Sequence, residues 1–150
     1  MALVIEGEER IEAPLQKVWD ALNDPDVLKA CIPGCQSLEK QGDNLAATVV
    51  LKVGPIKATF NGEVTLKNLK PPHSYTIQGE GKGGIAGFAK GGADVTQTAD
   101  GPDVTVLKYE AKADVGGKIA QLGSRLITST SKKLAGQFFS TFNEKVSNAG

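Results

Sequence analysis

The chain has 150 residues, a mass of 15.7 kDa and 17 basic against 17 acidic side chains, so its formal net charge is zero. This size suits one domain spanning residues 1–150, and the absence of net charge argues against a nucleic-acid partner. No apolar stretch reaches the roughly 18 residues that a membrane span needs, and the N-terminus lacks the features of a signal peptide. We therefore expect a cytoplasmic protein with at most peripheral membrane contact.

The first predicted element is a strand over residues 2–12, in which apolar and polar side chains alternate. Leu3, Ile5 and Ile11 share one face of this strand. Glu9 falls on the same face. It is either solvated near a strand end or turned toward the interior as a polar group.

Two short helices are predicted next, over about 15–22 and 26–30. Pro14 suits the first turn of the first helix, and the apolar residues that follow recur at spacings of three and four. Trp19 lies at a position where we expect it to pack the helix against the sheet. Pro33 ends the second helix.

Two cysteines, Cys31 and Cys35, flank an Ile-Pro-Gly segment. With His73 as the single histidine they cannot complete a four-ligand zinc site, and a disulfide would suit an exported protein. We expect reduced packing thiols, no metal site and no cofactor.

Residues 37–115 are predicted to form six strands joined by tight turns. Small and turn-forming residues mark those turns, at Gly42-Asp43-Asn44, Gly54-Pro55, Pro71-Pro72, Gly83-Gly84 and Asp100-Gly101-Pro102-Asp103. The segment 118–146 reads as one long amphipathic helix. The prediction is an α+β fold of order β-α-α-β6-α, in which a curved antiparallel sheet of about seven strands wraps around the C-terminal helix.

The second half of this sheet has little side-chain bulk on the face that should meet the helix. Its small residues are Gly79, Gly81, Ala89, Gly91, Ala93, Ala111 and Ala113. Either the sheet bends strongly and the helix lies very close to it, or a cavity remains that a ligand fills. The cavity interpretation predicts that replacing Ala111 or Ala113 by Phe abolishes binding.

The walls of such a cavity would be aliphatic and aromatic. The predicted wall residues are Val49, Leu51, Phe60, Tyr75, Ile77, Tyr109, Ile119, Leu122 and Leu126. The glycine-rich segment 81–94 lacks the ending of a phosphate-binding loop and no helix follows it directly. It is either a hairpin that gates the cavity, with Phe88 as a plug, or a plain mobile turn.

Four segments together resemble the family of the G subunit of carbon monoxide dehydrogenase, within the START-like (SRPBCC) helix-grip superfamily. They are PLQKVWDALNDPDVLKACIPGCQSLE (14–39), VGPIKATFNGEVTL (53–66), GFAKGGADV (87–95) and GGKIAQLGSRLI (116–127). The resemblance implies the same element order with an internal pocket. It also implies a link to molybdenum hydroxylases, either as an accessory factor in their maturation or membrane recruitment or as a carrier of a quinone.

The sequence leaves three possible functions to be tested. The chain could carry a hydrophobic small molecule such as a lipid or quinone, or serve as an interaction factor for a molybdenum hydroxylase with no essential ligand. An enzyme of the START-like cyclase or hydrolase type is disfavoured, because no Ser/His/Asp set or paired carboxylates are expected to meet. Glu9, Tyr75 and Tyr109 are the inward polar candidates that the pattern offers.

Overall fold

A computed structural model describes residues 2–42 and 44–147 of the chain. Its elements in chain order are β1 (Ala2–Ile11), α1 (Leu15–Leu22), α2 (Pro25–Cys31), β2 (Cys35–Gln41), β3 (Asn44–Val53), β4 (Ile56–Lys70), β5 (Ser74–Lys82), β6 (Phe88–Ala99), β7 (Thr105–Gly116) and α3 (Ser124–Ser147). Asp43, in the first predicted turn, lies outside the described residues.

All seven strands form one antiparallel sheet in the order β1-β7-β6-β5-β4-β3-β2. The chain returns after β7 so that α3 packs against the sheet, with α1 and α2 beside it. This arrangement confirms the predicted fold. Strand alternation also holds, because the residues that pack toward α3 on β7, such as Leu107 and Tyr109, share one parity.

The predicted single helix from Lys118 is wrong at its start. Residues Gly117–Leu122 form a 3₁₀ turn, and α3 begins only after Gly123. Gly123 has a φ of 97°, in the region that favours glycine, so the chain changes direction there instead of continuing as an α-helix. The helix that packs against the sheet is therefore shorter than predicted, and the 3₁₀ turn before it runs in a different direction.

The core differs between the two ends of α3. At the C-terminal end of α3, a region here called the filled half, α1 and α3 pack against the sheet. Its largest buried side chains are Ile11, Trp19, Leu22, Tyr75, Leu107, Phe139, Phe142 and Val146. Trp19 is 7% exposed and meets the ring of Tyr75 edge-on at 5.7 Å between centroids, as expected of a core residue.

A third group of side chains links α2 to the sheet edge. Leu28, Leu38 and Leu45 are buried together, with Ile32 and Phe138 packed against them. The helix α2 begins after Asp24, whose carboxylate accepts from the backbone N–H of Asp26. None of the described helices is both long and apolar enough to cross a bilayer.

Candidate functional site

A cavity of about 460 Å³ lies between the sheet and the N-terminal part of α3. We call this region the hollow half. Its apolar walls come from β3, β4, β6 and β7, from the 3₁₀ turn, from α3 and from the connection between α2 and β2. They are Ile32, Ala47, Val49, Leu51, Val53, Phe60, Val64, Ala89, Ala113, Val115, Ile119, Ile127 and Leu134. The volume falls within the range of about 300–1,000 Å³ that small-molecule sites usually have.

The glycines of the hollow half serve two different purposes. A Cβ built at Gly62 would overlap the backbone carbonyl oxygen of Glu80, and one at Gly91 would lie 2.7 Å from the carbonyl oxygen of Lys112. These two positions need glycine because neighbouring strands approach closely. At Gly79 the nearest atoms are 3.9 Å from a built Cβ, and at Gly81 they are 3.4 Å away.

The small residues therefore differ in the contacts that they make. Gly62 and Gly91 allow neighbouring strands to approach closely, whereas Gly79 and Gly81 have room for a Cβ. Both of the latter also line the cavity. A Cβ at either of these two positions would make only ordinary van der Waals contacts, so close strand approach does not require glycine there.

The structure brings together five of the twelve residues predicted to bind a ligand. Val49, Leu51, Phe60, Ala113 and Ile119 line the cavity from different elements. Phe60 and Ile119 are buried at 6% and 4% exposure. Their role in binding stays a prediction.

Three predicted wall residues lie in the filled half instead. Tyr75 packs against Trp19, and Ile77 and Tyr109 pack around the same cluster. Tyr109 stacks on Phe139. The strand parity of these residues is right, but they lie farther along their strands, where α3 and α1 already fill the space.

The remaining four residues border the hollow half without lining its cavity. Leu122 packs against the cluster that contains Ile119. Leu126 covers the β3–β4 turn, with its Cδ2 atom 2.8 Å from a Cβ built at Gly54. Ala111 lies between Ile5 and Ala93 in the strand register and is half-buried.

Phe88, the fourth of these, is not placed to plug the cavity. It is 44% exposed, begins β6 and covers the backbone of Gly116, while the next residue, Ala89, lines the cavity. Side chains of consecutive strand residues point to opposite faces, so Phe88 lies on the outer face of the sheet. The β5–β6 connection is instead a compact 3₁₀ turn, Gly84–Ala86, in which Ala86 is buried.

Several wall residues outside the sheet were not predicted from the sequence. Ile127 and Leu134 lie on α3, and Ile32 lies between α2 and β2. The break at Gly123 explains part of this, since it resets the helical phase so that Ile127 is buried and Leu126 is not. An amphipathic stripe read continuously from Lys118 could not find it.

Polar groups in the cavity wall are few and uncharged. Thr130 and Ser131 on α3 contribute hydroxyl groups. Glu63, Glu80 and Lys90 also border the space, but they have the strand parity of the outer face, so their backbones form the wall. Among the described residues, the side chains that face into the cavity can offer hydrogen bonds to a neutral ligand and no charge to pair with an ionised one.

Glu9 turns toward α3 but does not reach the cavity. Its carboxylate accepts a hydrogen bond of 3.1 Å from the side-chain amide of Asn143, which also donates to the backbone oxygen of Arg10 at 3.0 Å. Ser147 donates to Asn143 and accepts from the backbone N–H of Glu12. These bonds tie β1 to the C-terminal end of α3, so Glu9 is a partnered structural group.

Four titratable groups near the core have raised pKa values. Burial raises the pKa of the Tyr75 phenol, and burial together with Glu9 raises the pKa of Tyr109. Burial likewise raises the pKa of the thiols of Cys31 and Cys35, which are both free. Within residues 2–42 and 44–147, no three His, Cys, Asp or Glu side chains cluster to hold a metal ion.

The sequence matches the model of the CoxG family, named for the G subunit of carbon monoxide dehydrogenase, over residues 7–147. The chain belongs to this family. A conserved protein of known structure from Geobacillus kaustophilus is similar to this CoxG family member at 30% identity. The match covers 96% of this chain and 95% of that one, with a TM-score of 0.88.

More distant solved structures share the fold of this CoxG family member. A START superfamily protein from Mycobacterium smegmatis is 12% identical with a TM-score of 0.71, covering 95% of this chain and 96% of the other. The Zhui aromatase/cyclase from Streptomyces sp. R1128 is 13% identical with a TM-score of 0.69, covering 97% and 94%. The fold is therefore the START-like helix grip. No curated protein sequence matches this chain significantly.

Proposed function

We propose that this CoxG family member binds an uncharged hydrophobic small molecule, such as a quinone or lipid, in the cavity of its hollow half. The observation that supports this most directly is an apolar cavity of about 460 Å³, which Gly79 and Gly81 line and where a Cβ added at either glycine would meet no atom closer than 3.4 Å. Each methylene group buried there would contribute about 0.8 kcal/mol. The hydroxyl groups of Thr130 and Ser131 could donate hydrogen bonds to a ligand carbonyl.

The proposed physiological role is that of a carrier or accessory protein, not an enzyme, for a molybdenum hydroxylase of the carbon monoxide dehydrogenase type. Family membership supports such an association. A neutral, apolar cavity supports a carrier role, because it suits a redox-active ring that must stay out of water during transfer.

Two measurements test the ligand proposal. Native mass spectrometry of protein purified without detergent should show a co-purified hydrophobic molecule, and calorimetry should show uptake of decylubiquinone by the emptied protein. The variant Gly79→Ile should abolish uptake, because its side chain would occupy the cavity. Gln78→Ile is the matched control, since Gln78 is exposed on the opposite face of the same strand.

A recruitment factor with no essential ligand is the alternative. This alternative predicts that the purified protein contains no ligand and binds neither lipid nor quinone. It also predicts that the protein still associates with the hydroxylase at micromolar concentration. Uptake that is equal in the Gly79→Ile and Gln78→Ile variants would also reject the cavity as the binding site.

A further inference from the structure

Ile32 lies between the cavity of the hollow half and a depression on the surface. This depression, here called the α2–α3 groove, runs between α3 and the connection from α2 to β2 and has a volume of about 670 Å³. Lys29, Cys35, Gln137 and Thr141 are among the residues that border it. Of the residues that the structure describes, Ile32 alone lines both spaces, and its side chain is half-buried.

The sheet forms one complete wall of the cavity. Strands β3 to β7 pair in continuous register across it, with Gly79 opposite Gly91 and Gly91 opposite Ala113. The backbone hydrogen bonds between neighbouring strands leave no gap for a ligand. Exchange through the sheet would therefore need local unfolding.

Other borders of the hollow half are occupied by packed groups. Toward the C-terminus of α3 it meets the filled half, where side chains such as Phe142 are fully buried. At the opposite end the backbone of Gly117 contacts that of Gly87, and Ile119 nearby is 4% exposed. Along β1, Leu3 packs against the cluster that contains Ile119. The border between α3 and the α2–β2 connection differs, because there the half-buried side chain of Ile32 lies next to the groove.

The backbone on both sides of Ile32 is held in place. The N–H of Ile32 donates to the carbonyl oxygen of Leu28 at 2.9 Å, and the N–H of Cys35 donates to the carbonyl oxygen of Ile32 at 3.2 Å. The carbonyl oxygen of Gly34 accepts from the N–H of Val50 on β3 at 2.9 Å. A Cβ built at Gly34 would overlap the carbonyl oxygen of Val50, so this connection lies directly against the strand. Rotation of the Ile32 side chain can open a path here without moving the backbone.

The α2–α3 groove suits a passage better than a second binding site. Asp26 and Lys29 border it with charged side chains, and Gln137 and Thr141 border it with neutral polar ones. An apolar ring would gain little by staying against such groups, because they remain better solvated by water. Each methylene group that moves on into the cavity is removed from water, which favours entry.

We propose that Ile32 is a side-chain gate through which the ligand enters and leaves the cavity of the hollow half. The gate rests on the proposed function, because it serves a ligand of that cavity. Its closed position is held by packing against the cluster of Leu28, Leu38 and Leu45. A smaller side chain at position 32 loosens these contacts and opens the path, whereas a larger one blocks it.

The test is stopped-flow uptake and release of N-phenyl-1-naphthylamine, an uncharged probe whose fluorescence rises in an apolar environment. A gate limits entry and exit alike, so a change at the gate should alter the association and dissociation rate constants by similar factors and leave their ratio nearly constant. Ile32→Ala should raise both rate constants by about tenfold, and Ile32→Trp should lower both by about tenfold.

Ile119→Ala is the matched control, because Ile119 lines the cavity but not the groove. The same truncation there should raise mainly the dissociation rate constant, since lost wall contacts weaken binding without changing entry. Two results would overturn the gate. One is that the Ile32 variants exchange the probe at the parental rates, and the other is that Ile32→Ala changes dissociation alone, as Ile119→Ala does.

Alkylation of Cys35 gives a second test that needs no substitution at Ile32. Cys35 borders the groove, so an N-ethylmaleimide adduct on its thiol should narrow the path and slow both entry and exit. The Cys35→Ser variant, treated with the same reagent, should exchange the probe at the rate of its untreated form. An adduct on Cys35, verified by mass spectrometry, that changes neither rate constant would contradict the gate.

Failure of the gate can be told apart from failure of the proposed function. If the parent protein takes up neither the probe nor decylubiquinone, or if Gly79→Ile takes up both as the parent does, both proposals are rejected. If the parent takes up the probe, Gly79→Ile does not, and the Ile32 variants exchange it at the parental rates, only the gate is rejected.

Discussion

The ring of Phe139 lies flat on the ring of Tyr109, with centroids 3.9 Å apart and planes inclined by 11°. This stack joins α3 to β7 at the border between the two halves of the core. Toward the C-terminus of α3 the core is filled, by Phe142 and Val146. In the other direction Leu134 on α3 and Ala113 on β7 already face the cavity. The stacked rings therefore belong to the filled half and lie next to its border with the hollow half.

Removing the ring of Phe139 should reduce stability strongly. Phe139 is 6% exposed, and we expect Phe139→Ala to lower the free energy of unfolding by about 3–5 kcal/mol, from lost burial and from the void left behind. Urea denaturation measures the change. The adjacent Phe138→Ala is the control and should cost less, because Phe138 is only half-buried. Equal decreases in the free energy of unfolding would show that the stacked ring of Phe139 stabilises the core no more than the half-buried Phe138 does.

The two kinds of glycine predict opposite effects of the same substitution. Gly62→Ala should destabilise the protein, because the new Cβ would overlap the carbonyl oxygen of Glu80 and the strands would have to separate. Gly79→Ala should be neutral or stabilise by up to about 1 kcal/mol, since space is available and the unfolded chain loses freedom. Thermal unfolding of the two variants tests this. Destabilisation by Gly79→Ala would mean that the space is already filled.

The buried phenol of Tyr75 predicts a loss of stability in alkali. Its pKa is raised by burial, so the folded protein keeps the proton more tightly than the unfolded chain, in which a tyrosine titrates near pH 10. The stabilisation is fully present below about pH 10 and falls as the pH rises above it. Urea midpoints measured from about pH 9 to 11 should decline, and they should decline less steeply in Tyr75→Phe. An unchanged slope in that variant would contradict the assignment.

The cysteines should react slowly and in a fixed order. Burial raises both thiol pKa values, which lowers the fraction of reactive thiolate at neutral pH. Cys35 is half-buried, whereas Cys31 is 3% exposed. Alkylation by iodoacetamide, followed by mass spectrometry, should label Cys35 first and Cys31 only on unfolding. Rapid labelling of Cys31 in the folded protein would indicate that α2 opens readily.

The fold was largely predictable because two sequence periodicities determine it, the two-residue alternation of strands and the spacing of three and four residues in helices. Alternation along residues 2–12 identified β1, and the apolar repeat in 15–22 identified α1. The break before α3 was not predicted, because Gly123 lies inside a repeat that continues on both sides of it. A glycine with positive φ and a glycine within a helix look alike in a sequence.

The candidate site was harder to predict than the fold. Parity shows which face of a strand Tyr75 and Ala113 occupy, but it does not show where along the strand a helix crosses. That position decided that Tyr75 lies in the filled half and Ala113 in the hollow half. It depends on the angle of α3, which is set by contacts distant in sequence, such as the pairing of Glu9 with Asn143.

In this chain, the residues that stabilise the fold differ from those that line the cavity, whereas in many binding proteins the same residues must do both. Packing around Phe139 and Phe142 lies apart from Gly79 and Gly81, so the size of the side chain at these two positions can change with little effect on that part of the core. A few substitutions in the hollow half could therefore change the preferred length or shape of a ligand. Such substitutions would not first require a more stable fold.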